Sequence, residues 1–228
     1  MTQSPEVRDG FAQQLALLRE RMAAGMPRLG WKVGINVPEV QRKLGLSQPL
    51  VGWLDGERLF PSGSTLPISQ HSKLHVEPEL CLRIARPVTA TSSLDEALAA
   101  VDAIAPALEL VDYARPAANL TEVVRGSMFH SATVLGAWRP PVADLDIAAR
   151  VTLRVDTQEA EAARHDLVPA RLADLVLLVA RLLAHGAEQL LPGDHILSGS
   201  FTAKALPLCA GQTAEAVLGE LGVVRCSA

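Results

Sequence analysis

The sequence has few aromatic residues and no excess of basic ones. Aromatic residues make up 4% of the 228 residues, and 21 Lys and Arg face 25 Asp and Glu. Proteins that bind nucleic acids need positive charge against the phosphates and often stack bases on aromatic rings. The composition therefore argues against a nucleic-acid partner.

Long apolar runs and a signal sequence are also missing. The longest apolar run, residues 175–180, stops at Arg181, far short of the roughly 18 residues that a membrane span needs. The N-terminus is polar and mixed in charge, unlike a signal peptide. Cys81, Cys209 and Cys226 lack the spacing of metal ligands. We expect reduced thiols in a cytoplasmic protein that does not enter a membrane.

The composition that is present is that of a globular protein. Hydrophobic residues make up 49% and charged residues 20%, which allows a sizeable core and excludes disorder. Because single domains run to roughly 200 residues, we expect one domain with a small addition. We predict an N-terminal helical appendage over residues 1–28 and the main domain over residues 29–228.

Helix and strand patterns follow one another without strict βαβ order. Helical spacing is seen in three places: from Phe11 to Met22, after the capping box Ser93–Glu96 as far as Pro106, and from Arg171 to His185. Strand patterns cover residues 75–85, 107–112, 132–138 and 149–156, and the residues after Gly211 suggest a hairpin. Pro78 predicts a bulge or an edge position. The whole predicts an α+β fold dominated by sheet.

Glu77 and Glu79 flank Pro78 in one of these strands. Residues i and i+2 of a strand point to the same face, so the two carboxylates repel each other unless a proton or cation lies between them. Mg²⁺ and Mn²⁺ prefer such oxygen ligands. The alternative is a solvated strand edge, which is where most charged residues lie.

Glu109 lies within the apolar run PALELVD. A carboxylate inside a buried strand must be paired or coordinate a cation. It is a candidate third member of a site with Glu77 and Glu79. A salt bridge to Arg115 or Arg125 explains it equally well.

Lys32 and the pair Gly199-Ser200 are further candidates. Lys32 stands in the short apolar strand GWKVG, where its charge would stabilise an enolate or carboxylate, unless it merely snorkels to the surface. Gly199 and Ser200 follow a strand in GDHILSGSFT, where backbone N–H groups can bind a carboxylate, although a plain turn is the alternative. His71 and His75 have helical zinc spacing but lack the H-E-x-x-H motif.

Taken in order, several stretches resemble the fumarylacetoacetate hydrolase superfamily, and more closely its 2-keto-4-pentenoate hydratase and 4-oxalocrotonate decarboxylase branch. The stretches are GWKVGINVPEVQRKLG, HVEPEL, PALELVD, ATVLG and GDHILSGSFT, which lie between residues 30 and 202. Each motif is weak alone, and their joint order carries the resemblance. It implies a mixed β-sandwich or roll with flanking helices.

The resemblance also implies a site and a reaction. Glu77, Glu79 and Glu109 would hold Mg²⁺ or Mn²⁺, with Lys32 facing the substrate. Gly199 and Ser200 would help to hold the substrate carboxylate. The expected activity is that of a lyase, a hydratase or a decarboxylase, on a 2-oxo or 2-hydroxydienoic acid from aromatic catabolism. We expect a homo-oligomer. We also expect that it can form a complex with another enzyme of the pathway.

The sequence departs from the pattern of this branch in two places. The acidic residue that commonly precedes the loop after the lysine segment is replaced in the stretch 49–52, so we take Asp55 as its substitute. The usual Asn-containing loop reads GSMFHSA, so His130 is the other candidate for proton transfer.

These departures leave two other functions open. One is an acylpyruvate C–C hydrolase on the same fold. The N-terminal His–Glu signature of those enzymes is absent from the sequence, but a His–Glu pair near the metal would favour this function. The other is a catalytically silent homologue that serves as a partner subunit.

Overall fold

A larger and a smaller β-sheet are present in the computed structural model, which describes residues 4–68, 72–144, 150–161 and 167–228. The helices are α1 (Pro5–Ala23), α2 (Pro38–Lys43), α3 (Leu94–Ala99), α4 (Leu120–Arg125) and α5 (Leu172–Ala184). The strands are β1 (Arg28–Gly34), β2 (Leu50–Asp55), β3 (Leu59–Pro61), β4 (Ser64–Thr65), β5 (Leu74–Ile84), β6 (Val101–Asp112), β7 (His130–Leu135), β8 (Val151–Val155), β9 (Gln158–Glu161), β10 (His195–Leu197), β11 (Leu206–Pro207), β12 (Thr213–Leu218) and β13 (Val223–Ser227).

The larger sheet is mixed and is centred on the long antiparallel pair β5 and β6. Its strand order is β2-β1-β10-β5-β6-β7-β3, and β11 also pairs with β5. The smaller sheet has the order β4-β13-β12-β8-β9 and packs through β12 and β13 against β5 and β6. With the flanking helices, this arrangement confirms the predicted α+β fold class.

The smaller sheet forms as its alternating sequence predicts. The inward residues of β8, Val151, Leu153 and Val155, are buried, and the residues between them are more exposed. β12 and β13 pair antiparallel, which confirms the predicted hairpin. Alternation of this kind is typical of a sheet with one face on the core and one in water.

Helix α1 begins earlier than its apolar spacing indicates. The Ser4 side chain accepts a hydrogen bond from the Val7 N–H at 3.3 Å, and Pro5 occupies the first turn, both of which favour a helix start. Phe11, Leu15 and Leu18 are buried in the same core cluster as the larger sheet. Helix α1 therefore packs into the same core as the larger sheet, and β1 follows it from Arg28.

The helix predicted between Ser93 and Pro106 is wrong in its second half. The capping box of Ser93 and Glu96 is present, but α3 ends at Ala99 and β6 starts at Val101. Ile104 pairs with Leu82 of β5 instead of continuing the helix. The long pairing with β5 overrides the local helical spacing, as tertiary contacts often do.

Pro78 marks neither a bulge nor an edge. It lies in the middle of β5 and pairs with Leu108 of β6 without a shift of register. On the opposite side of β5, its carbonyl accepts a hydrogen bond from Phe201 N at 3.0 Å. The N–H and C=O of one strand residue point to the same side. The missing N–H of Pro78 therefore falls where a loop, and not a strand, faces β5.

The helices are not of the membrane-spanning kind. Within the described ranges, every helix is too short or too polar to cross a bilayer. The most apolar one, α5, buries residues on most of its surface, and it packs against α3 and β2.

Candidate metal centre

Three carboxylates meet on one face of the larger sheet. Glu77 and Glu79 lie two residues apart on β5, and Glu77 is directly opposite Glu109 on β6. One oxygen from each lies within 4.8 Å of the others. Glu79 and Glu109 are fully buried, and Glu77 is half-buried. The structure thus brings together the three residues proposed from the sequence.

Glu109 is the carboxylate with positive charge beside it. The Lys32 ammonium, also buried, donates to Glu109 Oε1. His130 Nδ1 lies 2.9 Å from the same oxygen. Burial alone would raise the pKa of Glu109, but Lys32 and His130 outweigh it and hold that pKa below its ordinary range. The alternative partners Arg115 and Arg125 are not used, and Arg115 instead donates to the His130 carbonyl.

For Glu77 and Glu79, the charge of Lys32 lowers the pKa less than burial and the neighbouring carboxylates raise it. Glu79 Oε2 accepts a hydrogen bond from Gly199 N at 2.9 Å. Burial, followed by the charges of Glu109 and Glu77, raises the pKa of Glu79 well above its ordinary value. Burial and the charge of Glu109 raise the pKa of Glu77 to about 7. The cluster therefore favours an added positive charge, either protons or a cation.

The donor atoms of the cluster fit a divalent cation. Glu79 Oε1 and Glu109 Oε2 are buried and make no hydrogen bond within the described part of the chain. Unpaired buried carboxylate oxygens are costly unless something binds them. An all-oxygen set of carboxylates suits Mg²⁺ or Mn²⁺ better than softer metals.

The loop after β10 closes one side of the cluster. Gly199 has a φ of +85°, and a Cβ there would lie 2.9 Å from the Asn36 side chain. Asn36 Nδ2 donates to the Ser200 carbonyl at 2.9 Å and to the Leu167 carbonyl at 3.0 Å. The Ser200 hydroxyl lies 3.1 Å from that of Thr202. Ser200 and Thr202 are both buried. The hydrogen bonds from Asn36 to Ser200 and from Gly199 to Glu79 fix the loop beside the cluster.

A cavity of about 570 Å³ opens beside the cluster. Lys32, Glu77 and Ser200 contribute to its wall, so it contains three of the predicted site residues. The other lining residues come from β1 and the segment after it, β5, β6, the 123–129 region and the loop before β11: Val33, Gly34, Ile35, Asn36, Val37, Val40, Leu44, His75, Val111, Tyr113, Val123, Met128, Phe129, Ala203, Lys204 and Ala205.

Asp55 and His130 occupy different positions relative to this cavity. The Asp55 carboxylate lies 3.3 Å from Arg21 and accepts from the Glu57 N–H at 3.0 Å, and it does not line the cavity. His130 is buried behind Glu109, and its Nε2 makes no hydrogen bond to the described residues. Burial lowers the pKa of His130, and the hydrogen bond to Glu109 and the charge of that carboxylate oppose this shift.

Sequence reasoning missed Asn36, Tyr113 and Lys204. Tyr113, the only tyrosine of the chain, follows PALELVD directly, and its ring packs edge-on against His75 and Phe129 with centroids 4.8 and 5.3 Å apart. A lone tyrosine next to a candidate ligand strand was the available signal. Asn36 and Lys204 lie in loops whose proximity follows only from the topology.

Two other sequence observations have a structural outcome. In the GSMFHSA loop, Ser127, Met128 and Phe129 all have positive φ values, between 51° and 66°. Such strained backbone is common at functional sites, and here it carries Met128 and Phe129 into the cavity wall. His75 also lines the cavity, whereas His71 lies outside the described residues.

Known proteins resemble this chain over most of its length. The family model for the fumarylacetoacetate (FAA) hydrolase C-terminal domain matches residues 31–227. A 4-oxalocrotonate decarboxylase from a Pseudomonas species is 28% identical over 86% of this chain and 77% of its own. A 2-oxo-hept-4-ene-1,7-dioate hydratase from Escherichia coli is 26% identical over 96% of this chain and 86% of its own.

A solved structure has the same fold. It is 4-oxalocrotonate decarboxylase from Pseudomonas putida G7, complexed with magnesium and adipate. Its TM-score is 0.82 at 22% identity, over 95% of this chain and 84% of that one. Since the family model matches far more than half of the residues, the chain belongs to the fumarylacetoacetate hydrolase family.

Proposed function

We propose that this protein is a divalent-metal-dependent lyase, a hydratase or a decarboxylase, that acts on a 2-oxo or 2-hydroxydienoic acid. The observation that carries the proposal is the buried cluster of Glu77, Glu79 and Glu109 beside a cavity, in which two carboxylate oxygens have no hydrogen-bond partner among the described residues. Family membership and the hydratase and decarboxylase names of the relatives support the same conclusion.

Glu77, Glu79 and Glu109 would hold the cation, which is Mg²⁺ in the related complex, while Mn²⁺ would suit the same oxygens. Such a cation, when bound, withdraws electrons from a 2-oxo acid as a Lewis acid. That electron sink serves both water addition and loss of CO₂, so the site supports either outcome.

Residues of the chain would bind and orient the acid. Lys32 lines the cavity and carries a positive charge that can stabilise negative charge developing on a substrate oxygen. The Ser200 hydroxyl, which lines the cavity, would hold the substrate carboxylate, whereas the Gly199 N–H proposed for the same role donates to Glu79. Asn36 fixes this loop by its bond to the Ser200 carbonyl, which keeps these donors in place before the substrate arrives.

Proton transfer is assigned to His130 in preference to Asp55. His130 Nδ1 donates to Glu109, since an ionised carboxylate only accepts, and this leaves Nε2 as a proton acceptor. Asp55 is engaged by Arg21 away from the cavity lining. Because Nδ1 already carries the proton shared with Glu109 and His130 does not line the cavity, a proton would pass between the substrate and Nε2 by way of a water molecule.

One observation favours a second candidate, an acylpyruvate-type C–C hydrolase. The contact between His130 and Glu109 is a His–Glu pair next to the proposed metal. Glu109 is itself a proposed ligand, however, so the pair is not a separate acid–base couple. The lyase therefore remains the primary proposal.

Calorimetric titration of oxalate into metal-stripped protein, and then into protein with excess Mg²⁺ or Mn²⁺, tests the site. Oxalate mimics the chelating end of a 2-oxo acid. We expect binding only with metal, and its loss in Glu79→Gln but not in the control Glu159→Gln, which changes an exposed glutamate of the smaller sheet. Absence of binding with either metal would return the cluster to a structural role in a catalytically silent homologue.

Product analysis separates the enzyme classes. Loss of the dienol absorbance without CO₂ indicates a hydratase, and release of CO₂ indicates a decarboxylase. Cleavage of an acylpyruvate to pyruvate and a second acid indicates the hydrolase.

The proposal extends to the setting of the protein. Cys81, Cys209 and Cys226 are free thiols, which suits the reducing cytoplasm. We propose that the protein is a cytoplasmic homo-oligomer and that its substrate is a small-molecule acid. We also propose that it forms a complex with another enzyme of the same pathway. Sedimentation analysis of the purified protein tests the oligomer.

A further inference from the structure

The cavity has an apolar wall that the described part of the chain leaves uncovered. Val40 of α2 and Leu44 just after it line the cavity and are 39% and 42% exposed. Helix α2 buries none of its own residues. Tyr113, a third exposed large side chain, lines the same cavity. Apolar side chains that stand in water beside a cavity favour the binding of an apolar group.

The same wall offers little to a second negative charge. Among the described lining residues, the lysines are Lys32 and Lys204, and there is no arginine. Lys32 is already paired with Glu109, and Lys204 is exposed. Val37, Val123 and Met128 extend the apolar surface instead. A carboxylate buried against such a surface would lose its hydration without a matching partner.

The volume points in the same direction. A cavity of about 570 Å³ falls within the roughly 300–1,000 Å³ of sites that take drug-sized ligands. The chelating head of a 2-oxo acid is a small part of such a ligand. The remaining space lies along the apolar wall.

We propose that the substrate is a monocarboxylic 2-oxo or 2-hydroxydienoic acid with an extended apolar tail, and that the tail packs on Val40 and Leu44. The inference rests on the proposed function, because it uses the same site. The carboxylate and the 2-oxygen occupy the end near the three glutamates. The tail replaces the water that now covers the apolar wall.

Binding of stable 2-oxo acids to the metal-loaded protein tests the tail without requiring turnover. The first comparison is 2-oxohexanoate with 2-oxoadipate, which differ only in a terminal methyl or carboxylate. We expect the monocarboxylate to bind at least about tenfold more tightly. The second is the series from 2-oxopentanoate to 2-oxooctanoate, in which each fully buried methylene should add about fourfold in affinity.

Matched variants locate the effect. Val40→Ser and Leu44→Ser should reduce the gain per methylene, measured relative to the oxalate affinity of the same variant. Leu94→Ser is the control, because Leu94 is also 42% exposed but does not line the cavity. It should leave the whole series unchanged.

Three results would overturn the inference, and each is distinct. Tighter binding of 2-oxoadipate, lost in Lys204→Met, would assign a dicarboxylic substrate. Oxalate binding without any gain along the series, together with a change of assembly mass in Leu44→Ser, would make the apolar wall an interface between copies of the chain. Failure of oxalate itself to bind with either metal would remove the proposed function as well.

Discussion

The two sheets of this molecule differ in where their charged side chains lie. In the smaller sheet, charged residues such as Arg154, Glu215 and Arg225 lie on the outer face, and the inner face is apolar. In the larger sheet, Lys32, Glu79 and other polar groups are buried. Buried charge is expensive and is kept where it has a use. The comparison therefore assigns stability to one sheet and chemistry to the other.

The largest expected effect comes from comparing the stability of two variants of the larger sheet, Glu109→Gln and Glu79→Gln. Glu109→Gln leaves the buried Lys32 without its carboxylate, which should lower the free energy of unfolding by about 3–5 kcal/mol. Glu79→Gln removes a carboxylate whose pKa is raised by burial, so it should leave metal-free stability unchanged or raise it. Urea unfolding in EDTA measures both. Equal losses in the two variants would contradict the assigned charge state.

Both substitutions should nevertheless abolish metal-dependent binding of oxalate. Each removes one charged oxygen ligand from the proposed site. Calorimetry with Mg²⁺ reports this loss independently of the change in stability. Retention of metal-dependent binding in either variant would remove that residue from the ligand set.

A substitution that creates a cavity in the core of the smaller sheet should lower stability without changing oxalate binding. Leu153 is fully buried, and Leu153→Ala should cost about 2–5 kcal/mol of unfolding free energy. Oxalate affinity with Mg²⁺ should stay unchanged in the folded protein. Val223→Ala is the control, since Val223 on the same sheet is 40% exposed. A drop in oxalate affinity in Leu153→Ala would show that the two sheets are coupled.

The raised pKa of Glu77 predicts how pH changes the stability of the metal-free protein and its affinity for Mg²⁺. Its pKa is raised from 4.5 to about 7, so its proton stabilises the metal-free fold below pH 4.5, and this stabilisation is lost as pH rises through about 7. Mg²⁺ must displace this proton. Its affinity should therefore rise with pH across that window, by up to about tenfold per pH unit for each displaced proton.

Titrations in two buffers with different ionisation enthalpies count the protons released. Glu77→Gln should release fewer of them than the unaltered protein. An Mg²⁺ affinity that is flat between pH 5 and pH 7 would contradict the raised pKa.

The smallest effect is expected on the outer face of the smaller sheet. Glu215 pairs with Arg225 across β12 and β13, and the Arg225 side chain is 60% exposed. Exposed pairs contribute less than about 1 kcal/mol. Glu215→Ala should change the unfolding free energy by no more than that, and salt should reduce the change further. A loss as large as that in Glu109→Gln would remove the distinction between the two sheets.

The smaller sheet was also the easier of the two to predict. Strand β8 and the hairpin of β12 and β13 follow from alternation alone, because one face meets the core and the other meets water. In the larger sheet, the segment from Val101 to Pro106 has helical spacing, yet it forms a strand. From Ala103 onward both faces of β6 are buried, so the sequence loses the period that distinguishes a strand from a helix.

The candidate site shows the same division. The sequence alone points to Glu77, Glu79 and Glu109, because carboxylates within apolar strands need a partner. Nearness in sequence also points to Asp55, but in the structure its side chain pairs with Arg21. A loop contact such as that between Asn36 and Ser200 joins residues 164 positions apart, and only the strand order brings them together.

The loop after β10, which faces Pro78, restricts where residues can be inserted into this chain. Ser198 N donates to the Leu80 carbonyl at 2.9 Å, and Phe201 N donates to the Pro78 carbonyl at 3.0 Å. Surface loops usually tolerate insertions, but this loop is fixed to β5 at both ends, where a step of three residues from Ser198 to Phe201 lies opposite a step of two from Leu80 to Pro78. One added residue would move Gly199 out of reach of Glu79. Divergent sequences are therefore free to lengthen the turn between β12 and β13, whereas the segment from β10 to β11 should keep its number of residues.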